Sequence, residues 1–173
     1  FVPQSGNYLQ NANVNITKIA NRYVALTETP LPVEFDLETL ETLGVLKYED
    51  NLPKKRSWES AHPHYLMDEK NAFNYYIQYG RTSYYVIYSL SENKAKRNII
   101  CKIPVESPSY MHSFAITENY LILTEFPFTV KPLQLLMNIQ GKAFIKNFLW
   151  RPESGTNFIV LNRHTGQVVS RYK

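Results

Sequence analysis

A single cysteine, Cys101, stands in 173 residues, which excludes an internal disulfide and fits a reducing, cytoplasmic compartment. Its setting, Asn98-Ile99-Ile100-Cys101-Lys102-Ile103, reads as a strand with a buried thiol. Glycine is scarce, and no Gly-rich phosphate loop is present. No serine sits in an elbow motif, which removes support for a serine triad. No apolar run approaches membrane-spanning length, and no stretch has signal-peptide composition. Neither sign of charge dominates. The net charge is +4 with basic residues scattered, and Lys54-Lys55-Arg56, the only basic run, reads as a solvated loop. Without an Arg/Lys stripe, no nucleic-acid partner is expected.

Aromatics and β-branched residues are abundant. Thirteen Tyr and nine Phe beside many Val and Ile favour strands over helices, and the length suits one globular unit with a well-buried core. Phe1 to Gln10 is loop-like. Val14 to Ile19 alternates apolar with polar, Ala20-Asn21 turns, and Arg22 to Thr27 returns as a buried strand. Val33-Glu34-Phe35 is a further strand, and Asp36 to Gly44 reads either as a short helix or as a turn closing a hairpin. Strand, polar turn and returning strand recur in His64 to Gln78, Tyr84 to Ile103 and Phe158 to Val169. Tyr110 to Leu123 repeats the shape around Glu118-Asn119, with His112 at the mouth of the first strand. Hairpins with little helix between them predict an all-β fold. At about 40–50 residues per blade the chain supplies roughly three to four β-propeller blades; a sandwich is the competing architecture. The chain begins at Phe1 without Met and stops in a strand-like pattern, which reads as an internal fragment of something larger.

Lys131 to Arg151 breaks the strand rhythm. Leu133, Leu136, Met137, Phe144 and Phe148 fall near one helical face with lysines interspersed and Trp150 at the end. Residues 133–150 therefore suit either a peripheral membrane interface or a segment capping the core. Gly141 weakens a continuous helix in both cases.

The candidate chemistry lies in imidazoles. His62 and His64 flank Pro63, and together with His112 they form a group able to hold a metal. Glu69 completes a His-x-His-xxxx-Glu spacing, but the glycines that frame the corresponding cupin motif are missing. Glu28 falls within a strand pattern, where a carboxylate needs a donor. The second ring N–H of a metal-bound imidazole is one such donor; backbone or a neighbouring Tyr is the other choice. His164 lies in Asn-Arg-His-Thr-Gly, a turn composition.

Three segments together resemble the carotenoid cleavage oxygenase family, which includes the retinoid isomerase of the eye. They are Asn13 to Ile16 through Tyr23 to Thr29 with Leu40-Glu41-Thr42, then Ser60-Ala61-His62-Pro63-His64, then Met111 to Tyr120. The resemblance implies a seven-bladed propeller with non-haem Fe(II) held by four histidines. By position, His62 resembles the first ligand, His112 the second, and Glu28 the carboxylate that holds a ligand from behind, that of His112. His64 is not a ligand in that pattern, and the other two would lie beyond Lys173. Ser60 stands where many relatives have Thr, and Ser113 where many have Asp. The implied activity is cleavage of a double bond in a lipophilic carotenoid or apocarotenoid by O2; the alternatives are a retinoid isomerase, a stilbene-cleaving relative, or a non-catalytic propeller binding module. Phe114, Tyr65, Phe126 and Phe128 are candidates for an apolar substrate tunnel or for propeller core, and a lipid-soluble substrate gives the 133–150 segment a reason to meet a membrane.

Overall fold

Alternation of side chains and tight turns drives the first sheet. In the computed structural model, which describes residues 11–52, 57–136 and 143–173, strands β1 (Asn15–Ile19) and β2 (Arg22–Leu26) pair antiparallel from Asn15 opposite Leu26 to Ile19 opposite Arg22. Ala20 and Asn21 join them at φ 50° and 61°, the left-handed pair that a type I′ hairpin requires. Strand β3 (Val33–Phe35) pairs with β2, and β4 (Thr42–Val45) pairs with β3 through a bulge after Glu34. Asp36 Oδ1 accepts hydrogen bonds from the backbone N–H groups of Glu38 and Thr39 and from the Thr39 hydroxyl. That arrangement makes the Asp36 to Gly44 stretch a hairpin turn and not a helix.

Strands β5 (Ser57–Glu59), β7 (Asn71–Gln78), β8 (Ser83–Ser91) and β9 (Arg97–Val105) follow one another across a second sheet, with β6 (His64–Leu66) also paired to β7. Phe73 to Ile77 and Tyr85 to Tyr88 are buried without interruption. Apart from Asn74 these residues are apolar or aromatic, a pattern that belongs to strands covered on both faces. The third sheet takes the order β10 (Ala115–Ile116), β11 (Tyr120–Glu125), β14 (Asn157–Asn162) and β15 (Val168–Tyr172). The hairpin around Glu118-Asn119 is present as expected, Ala115 facing Ile122 and Ile116 facing Leu121. A two-stranded ribbon pairs β12 (Phe128–Thr129) with β13 (Leu149–Trp150).

The chain divides into two compact units, one of 1–76 with 88–99, the other of 77–87 with 100–173. Fully buried side chains of the first include Leu46, Tyr75, Tyr76 and Tyr88; those of the second include Tyr85, Met111, Leu121, Leu123, Ile159 and Leu161.

The Leu133 to Phe148 stretch, whose apolar residues fall near one helical face, is described only at its two ends. A five-residue helix α1 (Pro132–Leu136) precedes a 3-10 turn at Phe144–Asn147. Leu133, Ile145, Leu149 and Trp150 are exposed while Phe148 is buried. Among the described residues no helix is long and apolar enough to cross a membrane. The stretch around Gly141, the basic run at Lys54-Lys55-Arg56 and the loop-like Phe1 to Gln10 lie outside the described residues.

Candidate metal-ligating loops

His62 stands between β5 and β6, immediately before Pro63, whose ring restricts the histidine backbone to extended conformations. Each residue leading to it is tied down. Glu59 N–H donates to the Glu28 carbonyl at 3.5 Å, and Ser60 N–H donates to the Tyr75 carbonyl at 3.3 Å. Asn74 Nδ2 donates to the Ser60 carbonyl at 2.8 Å, and Asn15 Nδ2 to the Ala61 carbonyl at 2.9 Å. His62 N–H in turn donates to Ser60 Oγ at 3.2 Å. The backbone is therefore fixed while the imidazole stays half-exposed. His64 opens β6 opposite Phe73, so the two histidines do not share one strand.

A second network, not anticipated from the sequence, lies under this loop. Glu59 is buried, and burial lifts its carboxyl from 4.5 to about 7, against the opposing pull of Arg97 and the hydrogen bond from Tyr88. Tyr88 Oη donates to Glu59 Oε1 at 2.7 Å, and Arg97 Nη1 lies 3.6 Å from Oε2, an ion pair without a hydrogen bond. The guanidinium fork goes to Asp50 instead, at 2.7 and 3.1 Å, and Cζ sits 4.2 Å from the Tyr48 ring centroid. Burial alone would raise the Asp50 carboxyl, but the Arg97 bonds outweigh it and lower it. A cavity of about 20 Å3 bordered by Glu59, Tyr48, Tyr88, Asn74 and Pro63 has room for one water molecule. No spacing rule links Asp50, Glu59 and Arg97; the one signal was a glutamate set between Trp58 and Ala61.

His112 occupies a bend three residues before β10 and is exposed, its ring stacked on Tyr110 at 6.5 Å and 23°. The segment before it is anchored in the same manner as the His62 loop. Ser109 N–H donates to Tyr85 Oη at 2.9 Å, Tyr85 Oη donates to Glu125 at 2.9 Å, and Ser109 Oγ donates to the Phe126 carbonyl at 2.8 Å. Burial raises the Glu125 carboxyl, outweighing the Tyr85 bond. Tyr110 N–H reaches the Phe128 carbonyl at 2.9 Å, and Met111 and Phe114 are buried on either side of the imidazole position.

Glu28 requires a correction. It does not lie inside a strand core, because β2 ends at Leu26 and Glu28 falls in a bend, half-buried. Pro30 and Pro32 lack the N–H groups that a continuing ladder would need. Of the tunnel candidates, Phe114 is buried and Phe128 half-buried against Tyr110 and Phe148 at 6.1 and 5.4 Å. Tyr65 and Phe126 are exposed. A cleft of about 760 Å3 opens elsewhere in the second unit, bordered by Arg81, Val105, Glu106, Lys131, Pro132 and Leu133 among others, and by none of those four aromatics.

Among the described residues no three His, Cys, Asp or Glu side chains gather into a metal-holding group. His164 is exposed in the β14–β15 turn, its N–H donating to Asn162 Oδ1. His62 in the first unit and His112 in the second are each accessible imidazoles beside hydrogen-bonded backbone, and an imidazole of either kind has the chemistry to act as a nitrogen ligand.

The family model described as Retinal pigment epithelial membrane protein matches residues 3–173. The chain is 34% identical over 171 residues to the mitochondrial carotenoid-cleaving dioxygenase of Macaca fascicularis, covering 92% of this chain and 30% of that protein. Among solved structures it is similar to a glutamate-to-aspartate variant of the Synechocystis apocarotenoid oxygenase, with TM-score 0.74, 22% identity, and coverage of 96% of this chain and 35% of that one. It is also similar to the lignostilbene dioxygenase of Pseudomonas brassicacearum, with TM-score 0.71, 27% identity, and coverage of 94% and 32%. The chain thus spans about a third of the length of these relatives. Its antiparallel sheets are β-propeller blades, as the all-β reading expected, and not a sandwich. A match along nearly the whole sequence and a shared fold lead to one conclusion: the chain belongs to the carotenoid cleavage oxygenase family.

Proposed function

We propose that this chain forms part of a non-haem Fe(II)-dependent dioxygenase that cleaves a double bond of a carotenoid or apocarotenoid with O2 to give aldehyde or ketone products. The observation that carries the reading is the pair of pinned loops, each ending on an accessible histidine, within a chain of this family. Fe(II) held by His62, His112 and further neutral imidazoles would supply activation of O2, with a conjugated polyene as the source of electrons, so that one C=C and one O2 would give two C=O groups.

The residues of this chain have separate tasks. His62 and His112 are the proposed ring-nitrogen ligands, and Glu28, on the family resemblance, is the proposed carboxylate that accepts the second N–H of a ligand imidazole and so fixes its tautomer. Buried Phe114 and half-buried Phe128, which packs against Tyr110 and Phe148, give apolar surface near the Tyr110 ring on which His112 stacks. The cleft is bordered by apolar Pro104, Val105, Pro132 and Leu133 and by charged Arg81, Glu106 and Lys131, and a lipophilic substrate would give the 133–150 segment a reason to meet a membrane. The likeness to a lignostilbene dioxygenase supports a second reading, cleavage of a stilbene-type double bond.

Iron content and product analysis of the full-length protein test the proposal. Near-stoichiometric Fe(II) that falls at least about tenfold in His62→Ala and His112→Ala, with O2-dependent bleaching of a carotenoid, is the expected result. Stilbene cleavage without carotenoid bleaching would move the substrate to the second reading. Full-length protein that takes up no Fe(II) under anaerobic loading would overturn both and favour a binding module.

A further inference from the structure

A buried carboxylate is a costly way to stabilise a fold, since an apolar residue of similar volume commonly does as well or better. Glu59 is such a group, and its place in the chain indicates a different purpose. Strand β5, which it ends, has three residues and stands at the end of its sheet order, next to β7. So short an outer strand is weakly held by its ladder alone. The side chain of Glu59 adds a hold from the face of the sheet, reaching Tyr88 on β8 and Arg97 on β9, and Arg97 is itself locked by the Asp50 fork. The three residues after Glu59 are the loop that ends on His62, fixed at its backbone by Asn74, Asn15 and Ser60. A shift of β5 along its neighbour would move all of those bonds together.

We propose that Glu59 is a positioning residue for the metal centre: clamped by Tyr88 and Arg97, it anchors the end of β5 and so sets the direction in which His62 presents its imidazole. This rests on the reading of His62 as a ligand.

The test is a Co(II) titration of the full-length metal-free protein, read from the ligand-field absorption bands, at a temperature where each variant's unfolding curve shows it folded. Glu59→Ala and Tyr88→Phe are expected to bind Co(II) 10–100-fold more weakly than wild type, the range seen when groups supporting a metal ligand are removed, with displaced bands. Glu59→Gln, which keeps the shape and the bond from Tyr88, restores most of the affinity. Tyr88→Phe, which removes one hydroxyl, carries the test if Glu59→Ala does not fold. Wild-type affinity and bands in Tyr88→Phe, or a Glu59→Gln as weak as Glu59→Ala, overturn the proposal. His62→Ala separates the two levels: if it abolishes binding while the Tyr88 and Glu59 variants bind normally, the ligand reading stands and the positioning role falls. Wild-type binding in His62→Ala removes both.

Discussion

Asp50 and Glu59 share one guanidinium and titrate in opposite directions. Asp50 receives the fork and is held below 3.8, whereas Glu59 receives only a 3.6 Å ion pair, and desolvation lifts it to about 7. Tyr48, Tyr76 and Tyr88 also face this cluster and bring no positive charge. Between 4.5 and about 7 the folded chain holds a proton on Glu59 that the unfolded chain has released. Folding stability from this group is therefore fully present below 4.5, falls as pH rises through that window, and is lost above about 7. The contribution of Asp50 runs the other way, present above 3.8 and lost as pH falls through its lowered value. Thermal midpoints measured from pH 4.5 to just above 7 should decline, and Glu59→Gln should flatten the decline; an unchanged slope would mean that another group titrates. Cys101 gives a second residue-level expectation. Burial pushes its thiol from 9.0 to about 11, so at about pH 8 its thiolate, and with it the alkylation rate, should be about 100-fold below that of an unperturbed cysteine; labelling at the ordinary rate would contradict the burial. The sequence made the imidazoles visible because His62 and His112 sit in recognisable neighbourhoods. Glu59 and Arg97 were invisible because their partnership spans strands, and local patterns carry no signal for that.

Elements were legible where a turn had its own chemistry. Ala20-Asn21, Glu118-Asn119 and Asn162 to Gly166 each announced a hairpin, and each is one. Glu28 was misplaced because β-branched Thr27 and Thr29 on either side of it favour a strand, while the prolines that end the ladder come only at 30 and 32. The 133–148 spacing matched a helical face, but side-chain period does not fix backbone class, and Phe144–Asn147 at its far end forms a 3-10 turn. The last hairpin depends on a glycine. Gly166 has φ 73°, and an added Cβ would meet the Ile100 carbonyl oxygen at 2.7 Å and Cys101 Cβ at 2.8 Å. A backbone oxygen on β9 cannot move aside, so Gly166→Ala combines a left-handed conformation with a clash and should cost about 2 kcal/mol or more. Gly44, at φ 129° with nothing within 4 Å of the added atom, provides the control. Gly44→Ala should lose about 1 kcal/mol, and urea unfolding that ranks the two variants in the reverse order would refute the packing account.

At the scale of the molecule, the first two sheets hold the His62 loop and the third follows His112 in the chain. The first supplies Asn15, whose amide holds the Ala61 carbonyl; the second carries Glu59, Asn74 and the His62 loop; the third begins just after His112. The proposed ligands stand in loops beside β5 and β10, and among the described residues no three His, Cys, Asp or Glu side chains gather into a metal-holding group. Of the four histidines of this sequence, His64 begins β6 and His164 is exposed in the β14–β15 turn, and neither is a proposed ligand. Metal affinity should then depend steeply on how much of the protein is present. The 173 residues alone, titrated with Co(II), should bind far more weakly than the full-length protein and lose no further affinity on His164→Ala. They should also leave a carotenoid unbleached in air after Fe(II) loading. Exposed Val169 and Tyr172 on β15, the terminal strand of its sheet order, should make this shorter chain self-associate, a tendency that Val169→Lys should reduce. If the 173 residues alone bind metal as tightly as the full-length protein and cleave a carotenoid, the centre is complete within them, and the assignment of only His62 and His112 as its ligands is wrong.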